Sequence, residues 1–366
     1  LFSALNVLRP SIIKAHKMKR FEFSEKYLFF YDQLEKANLF LEAMITHRHK
    51  PDDDRMIEWL FKHPIGDGGV WNMMTDLIKK YGAVPKQAMP ESYNSDHTRW
   101  LRRMLQRKLR KDGYRIRQWK NKSETFLRRQ KTNMLAQVYR MLVIALGEPP
   151  KTFRWRYETE DGAITPFKTY TPHQFFREFV ADQLDDYVML MNDPSRPFYQ
   201  LYEIEYDRNC YEGHNWEYVN VPISVLKNAA KKSILDDEPM YYSCDVGKQL
   251  NREDGILAME QYDYSSLFGV DLNMTKTERI RTFESGSTHG MALMGVDTAK
   301  DGRPVKWLLE NSWGEKSGFE GYLIMTDRWF DNYTFRLVVR RKYLDDKTLK
   351  ALNQKAVKLP PWDAMF

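Results

Sequence analysis

An α+β fold, helical in its first half and β-rich in its second, is predicted by three observations on this 366-residue chain. Apolar residues recur at helical spacing through most of the chain to about Pro197. After Asn215 the pattern changes to short apolar runs bounded by turn residues, the signature of strands. The third observation is the stretch from Ser287 to Gly321, STHGMALMGVDTAKDGRPVKWLLENSWGEKSGFEG. Its strands Gly290–Val296 and Val305–Leu309, joined by a Lys-Asp-Gly turn, form a hairpin that brings His289 and Asn311 to one end.

Taken in order, Leu1 to about Lys17 reads as a helix with Leu1, Leu5 and Leu8 on one face, kinked or ended at Pro10. Ser24 caps a second helix that carries Tyr27, Leu28, Tyr31, Leu34 and Phe40 through Ile45. His47, His49 and Asp52 to Asp54 follow in a loop. Their residue types suit a metal, but a solvated polar loop accounts for them equally well, and no metal site is assigned. Asp67-Gly68-Gly69 lies between helices, where the missing Cβ lets another backbone approach and pair, or simply makes a turn. From Pro90 to about Pro197 runs a long, mainly helical stretch. Leu101, Leu105 and Leu109 give one stripe, and Leu127, Met134, Leu135, Val138 and Leu142 another. Phe153–Tyr157 and Ile164–Tyr170 flank a Glu-Asp-Gly turn as a small hairpin, and Thr171-Pro172 opens a further helix. Strands are expected at Trp216–Val221, Met240–Cys244, Tyr322–Thr326 and Phe335–Val339, with a helix at Ser224–Ile234. Leu344–Ala356 reads as a polar, exposed helix and Val357–Phe366 as an extended, Pro-rich tail.

A neutral amide beside an imidazole suits one chemistry. The Asn oxygen accepts a ring N–H and fixes the tautomer, while its lack of charge leaves the imidazolium free to pair with a thiolate. The indole of Trp313 would shield that hydrogen bond from water. This is the base-and-orienter half of a cysteine nucleophile system. A strand-edge His and a turn Asn without a shared role is the plainer alternative.

These residues resemble the His and Asn segments of papain-like cysteine peptidases, in the bleomycin hydrolase and aminopeptidase C branch. The resemblance extends, in order, through LFSALNVLRP (1–10), FEFSEKYLFFYDQLEK (21–36), DGGVW (67–71), YGAVP (81–85), YSCDVGK (242–248) and LPPWD (359–363). It implies a papain-like fold, with a helical left domain, a β-sheet right domain and a large helical insertion. The expected division is 1–89 (helical part), 90–200 (insertion, oligomerisation and basic region), 201–345 (β-rich part with His289 and Asn311) and 346–366 (helix and tail). The resemblance further implies a cysteine aminopeptidase acting on peptides through a thioester, without cofactor or metal, as a homohexamer; a cytoplasmic location is expected instead from the low cysteine content, which fits a reducing compartment. His289 and Asn311 would be catalytic and Trp313 supporting. Gly68 and Gly69 would pair with an extended substrate, and the terminal carboxylate at Phe366 would receive its ammonium group. In the family the nucleophilic Cys and a Trp immediately precede a segment similar to LFSALN. The nucleophile is therefore expected two positions before Leu1 and the oxyanion Gln further upstream, so that the 366 residues alone would be inactive. A catalytically dead scaffold and a ring-forming nucleic-acid-binding protein remain rival readings.

Composition narrows the rest. Two cysteines exclude a disulfide framework. Cys244 in an apolar strand reads as a buried structural thiol, and Cys210 in a polar loop as an exposed, incidental one. The best apolar run, Met141–Leu146, falls far short of the ~18 residues a membrane helix needs, so no membrane partner is expected. The net charge of +7 is concentrated: residues 99–131 carry fourteen Lys or Arg against Asp112 and Glu124, a net of +12, leaving −5 for the remainder. Interleaved with Trp100, Tyr114 and Trp119, these cations suit a groove for nucleic acid. The solvated face of amphipathic helices that dock a neighbouring subunit is the reading the sequence favours.

Overall fold

The protein is described by a computed structural model in which residues 2–181, 184 and 186–365 are placed. Two compact units emerge, a helical one formed by Ile12–Gln183 with Tyr206–Asn215, and a sheet unit formed by Phe2–Ser11, Leu184–Glu205 and Trp216–Phe366.

Helix α1 (Phe2–His16) contributes to both. It does not end at Pro10. An interior proline removes one helical hydrogen bond, yet Ala4, Leu5, Val7, Leu8 and Ile12 are all nearly fully buried, and that packing holds the helix through it.

In the helical unit, α2 (Glu25–Thr46) is the central rod, followed by α3 (Arg55–Lys62), α4 (Trp71–Tyr81), α5 (Tyr93–Asp96), α6 (Arg99–Gln118) and α7 (Glu124–Leu146). Ser24 Oγ accepts the Tyr27 N–H, and Glu91 Oε1 accepts those of Glu25 and Lys26, so three of the orphan donors of α2 are satisfied at its start. Phe29, Phe30, Phe40 and Met44 of α2 share one core with Leu105, Leu109 and Ile116 of α6 and Leu127, Met134, Val138 and Leu142 of α7. Both leucine stripes thus face the same rod. Strands β1 (Phe153–Trp155) and β2 (Lys168–Tyr170) pair antiparallel, and α8 (Pro172–Phe179) starts with a Thr171–Gln174 capping box and Pro172 in its first turn. The His47 loop is used structurally. His47 Nε2 lies 2.9 Å from the Tyr206 hydroxyl, Asp54 caps α3, and Asp52 takes the Arg117 guanidinium. Among the described residues no His/Cys/Asp/Glu group could hold a metal.

The sheet unit contains β3 (Tyr187–Met191), β4 (Leu201–Ile204), β5 (Trp216–Asn220), α9 (Ile223–Leu235), β6 (Met240–Cys244), β7 (Leu250–Asn251), β8 (Ile256–Leu257), α10 (Tyr264–Phe268) and α11 (Lys276–Arg281). After these come β9 (His289–Thr298), β10 (Pro304–Glu310), β11 (Tyr322–Thr326), α12 (Asp327–Tyr333), β12 (Thr334–Arg340), α13 (Asp346–Ala351) and β13 (Val357–Leu359). They form one sheet in the order β13-β4-β5-β3-β12-β6-β9-β10-β11-β8-β7. Trp307, Trp329, Phe330, Tyr242, Leu293 and Leu337 are central to its core. Two expectations need correction here. The helix near 344–356 is only Asp346–Ala351, and Thr348 and Ala351 are buried, because one of its faces packs on the sheet unit. The tail is not merely extended: Val357–Leu359 adds a parallel strand to β4.

Candidate active site

β9 and β10 pair antiparallel with Glu310 opposite Ala292, so the hairpin delivers His289 at the start of one strand and Asn311 just past the end of the other. The Asn311 N–H continues the ladder onto Gly321 O at 3.0 Å. His289 Nε2 and Asn311 Oδ1 are 2.8 Å apart. The same Oδ1 accepts the Ser312 N–H at 2.8 Å, which identifies the facing atom as oxygen. Nε2 must therefore carry the proton it donates, and Nδ1 is left with its lone pair. The imidazole is thereby set as a base at Nδ1. Burial holds its pKa below the usual 6.5, and the bond to Asn311 offsets part of that fall. The Trp313 ring lies 5.0 Å from the imidazole, centroid to centroid, and carries the Arg252 guanidinium 4.9 Å above it. Asn311 is only 4% exposed, and its Nδ2 has no partner among the described residues.

The approach to His289 is also held. Asp245 accepts the Ser285 hydroxyl at 2.7 Å and the Thr288 hydroxyl at 3.2 Å, Ser287 bonds Ser243, and the Thr288 N–H reaches Cys244 O. An added Cβ at position 290 would sit 2.8 Å from the Tyr241 hydroxyl oxygen, so a larger residue there requires that ring to shift.

Three polar residues on one face of α1 latch the helix to this hairpin. Ser3 Oγ donates to Gly290 O at 2.8 Å, next to His289. Asn6 Nδ2 and Arg9 Nη2 donate to Glu310, next to Asn311, with Arg9 2.9 Å from both carboxylate oxygens. The N-terminal turn of α1 therefore lies against the two strands that carry the imidazole and the amide. None of these partners was singled out from sequence. The available signal was three polar residues at i, i+3 and i+6 set among the apolar, buried Ala4, Leu5, Val7 and Leu8 of the first half of α1, a pattern that requires distant partners.

Gly68 and Gly69 lie in the helical unit, in an irregular stretch between α3 and α4. A Cβ at Gly68 would meet nothing within 4 Å, and Gly68 O accepts the Lys36 ammonium at 2.5 Å. Asp67 beside them is fixed by Thr98 and Arg102. Phe366 falls outside the described residues.

Both thiols are buried. Cys244 pairs with His289 in the β6–β9 ladder, but it is fully enclosed in the sheet core and burial pushes its thiol up, away from the thiolate. Cys210, expected to be exposed, is 1% accessible. The polar residue beside it anchors the loop: Asn209 Nδ2 donates to Asp32 Oδ1 and Met73 O, and Asn209 Oδ1 accepts the Cys210 N–H. Burial and the nearby Glu35 charge raise that thiol as well.

The profile of the Peptidase C1-like family matches residues 1–366. The chain is 39% identical over 377 residues to a bleomycin hydrolase of Homo sapiens, covering all of this chain and 83% of that protein. It is 39% identical over 368 residues to an aminopeptidase C of Listeria monocytogenes, again over all of this chain and 83% of the relative. Among solved structures, PepW from Lactobacillus rhamnosis HN001 superposes with a TM-score of 0.95 at 38% identity, over 99% of this chain and 83% of that one.

Proposed function

Since the chain belongs to the Peptidase C1-like family and is a cysteine peptidase, we propose that it removes N-terminal residues from peptides by acyl transfer, with His289 as the base and Asn311 as its orienter. The observation that carries this assignment is the 2.8 Å bond from Nε2–H to Asn311, which leaves Nδ1 to take a thiol proton. The resulting thiolate attacks the first peptide carbonyl, and the imidazolium returns its proton to the leaving amine; water then hydrolyses the thioester. Trp313 shields the His–Asn bond. Gly68, where an added Cβ would meet nothing within 4 Å, and Gly69 beside it would line an extended substrate.

Cys210 and Cys244 are both buried, with thiols raised by burial. The nucleophile and the oxyanion-hole Gln are accordingly assigned to residues outside these 366, and the chain alone is expected to be inactive. Hydrolysis of a fluorogenic aminoacyl amide by the full-length protein tests the reading. It should be abolished by a thiol alkylator and by His289→Ala. Turnover by the 366-residue chain itself, or activity indifferent to alkylation, would refute it, and an inert full-length protein would establish a dead scaffold.

A cytoplasmic homohexamer and a nucleic-acid-binding face belong to the same reading. No helix among the described residues is long and apolar enough to cross a membrane. Ten of the fourteen cations of the basic segment fall into two sets. Arg102, Lys108, Arg117, Arg128 and Lys131 are paired with Asp67, Asp112, Asp52 and Glu42. Arg99, Arg103, Arg107, Lys111 and Arg115 line one exposed face of α6 at four-residue spacing, beside exposed Trp100 and Tyr114, with no ion pair among the described residues. That second set is the candidate polyanion surface. Reversing Arg103, Arg107 and Lys111 should abolish salt-dependent binding of single-stranded DNA. Hexamer mass by light scattering, unaffected by that change, would separate assembly from binding.

A further inference from the structure

The carbonyls that precede Gly69 are gripped by side chains of α2. Lys36 Nζ lies 2.7 Å from Asp32 Oδ2, 2.5 Å from Gly68 O and 3.3 Å from Gly66 O, which accounts for all three donors of an ammonium group. Gln33 Nε2 adds a second donor to Gly66 O, at 2.9 Å, and bonds Asp32 Oδ2 at 3.0 Å. Asp32 is fully buried, and its other oxygen accepts Asn209 Nδ2 at 3.0 Å, so the carboxylate that holds Lys36 is itself fixed. From α6, Gln106 Nε2 donates to Ile65 O at 3.0 Å, while Arg102, with Thr98 just before the helix, binds the Asp67 carboxylate. Ile65, Gly66, Asp67 and Gly68 are thus each tied down by side chains, in a stretch that belongs to no helix or strand.

The ties stop at Gly69. Among the described residues no hydrogen bond engages its N–H or its carbonyl, and a Cβ on neighbouring Gly68 would meet nothing within 4 Å. The Gly68 carbonyl and the Gly69 N–H belong to one trans peptide plane and point in opposite directions. With Gly68 O on Lys36, the Gly69 N–H faces away from that ammonium. A buried ion pair committed to the carbonyls of a glycine-rich loop needs a reason, because desolvating both charges is costly and glycine is the residue hardest to order. We propose that Lys36 is a positioning residue for the peptidase reaction: by pinning the Gly66 and Gly68 carbonyls it aims the free N–H of Gly69 at a backbone carbonyl of the peptide substrate. The inference rests on the substrate-lining reading of Gly68 and Gly69 above and adds the group that aims them. Lys36 itself touches no reacting atom.

The test uses the full-length enzyme, a short peptide with a free N-terminus, and iodoacetamide. Cys210 and Cys244 are buried, so alkylation reads the nucleophilic thiol. Lys36→Met should raise KM for the peptide about tenfold, equivalent to roughly 1.4 kcal/mol, with kcat much less affected and the alkylation rate unchanged. Lys36→Arg keeps the charge but spreads its donors in a plane, and should recover part of the loss in KM. Lys36→Met also strands the buried Asp32 carboxylate. The double variant Asp32→Asn, Lys36→Met removes both charges, should show the same rise in KM, and decides the matter if the single variant does not fold. An unchanged KM, or a fall in kcat and alkylation rate that matches the rise in KM, overturns the inference. Wild-type enzyme inert toward the peptide would overturn the peptidase reading itself, and this assignment with it.

Discussion

The latch between Arg9 and Glu310 is the most direct test of how α1 is held on the hairpin. The perturbation is a double-mutant cycle of Arg9→Ala, Glu310→Ala and the pair. The two side chains are 19% and 11% exposed, Arg9 Nη2 is 2.9 Å from each carboxylate oxygen, and Asn6 supplies only one further, neutral donor at 3.2 Å. At an effective dielectric of 20 a pair about 4 Å apart attracts by about 4 kcal/mol, and desolvation cancels a good part of that. Removing Arg9 strands a largely buried carboxylate and should cost about 2–3 kcal/mol. Removing Glu310 leaves Arg9 able to turn toward water and should cost about 1–2 kcal/mol. The double variant should be little worse than Arg9→Ala, giving a coupling of about 1.5 kcal/mol. Urea unfolding measures all four species, and at about 1.3 °C per kcal/mol for a chain of this length the Arg9→Ala loss should lower Tm by about 3–4 °C. Hydrogen exchange should quicken most in α1. Losses that add within about 0.3–0.5 kcal/mol would show that the pair does not hold the helix, and the placement of its first turn beside His289 would need another cause.

Two pH effects follow from the same structure. His289, held below its usual 6.5 by burial, should titrate in NMR below that value, and Asn311→Ala should take it lower still by removing the bond that offsets burial. Between the folded and unfolded values the unfolded chain binds the extra proton, so stability should fall as pH drops from 6.5 through the folded value, and a His289→Gln variant should lack that slope. Glu25, raised to about 7 by burial and then by Glu91, has the opposite sign. The folded chain keeps its proton up to about 7 while the unfolded chain loses it near 4.5, so that contribution is complete below 4.5 and is lost as pH rises through 7. Glu25→Gln should flatten the decline; a wild-type Tm that does not fall relative to Glu25→Gln over that range would remove the argument.

What could be read from the sequence was local. Ser24, the Thr171-Pro172 start and the leucine stripes of α6 and α7 each declare themselves within a few turns of chain, and the turn after Asp297 joins strands close in sequence. The His289–Asn311 contact was legible for that reason. What escaped depends on partners far away. β3 and β4 acquire their strand character by lying beside β12, β5 and β13, and Val357–Leu359 is a strand only because Tyr202–Ile204 receives it. Cys210 was misjudged because its polar neighbour was read as a sign of solvent, whereas Asn209 turns its amide inward to α2 and α4. Ser3, Asn6 and Arg9 lie about 300 residues from what they bind, and nothing short of the fold pairs them.

The spacing of those three residues makes α1 behave as a screw with one correct setting. Each helical residue advances the axis by ~1.5 Å and turns it by ~100°. A single deletion between Ser3 and Arg9 would therefore swing whichever contacts lie beyond it off the hairpin together. Conservative swaps on the outward side should pass unnoticed, while any change of length in this first stretch should be rejected outright. Surviving variants would then differ in letters here and never in count.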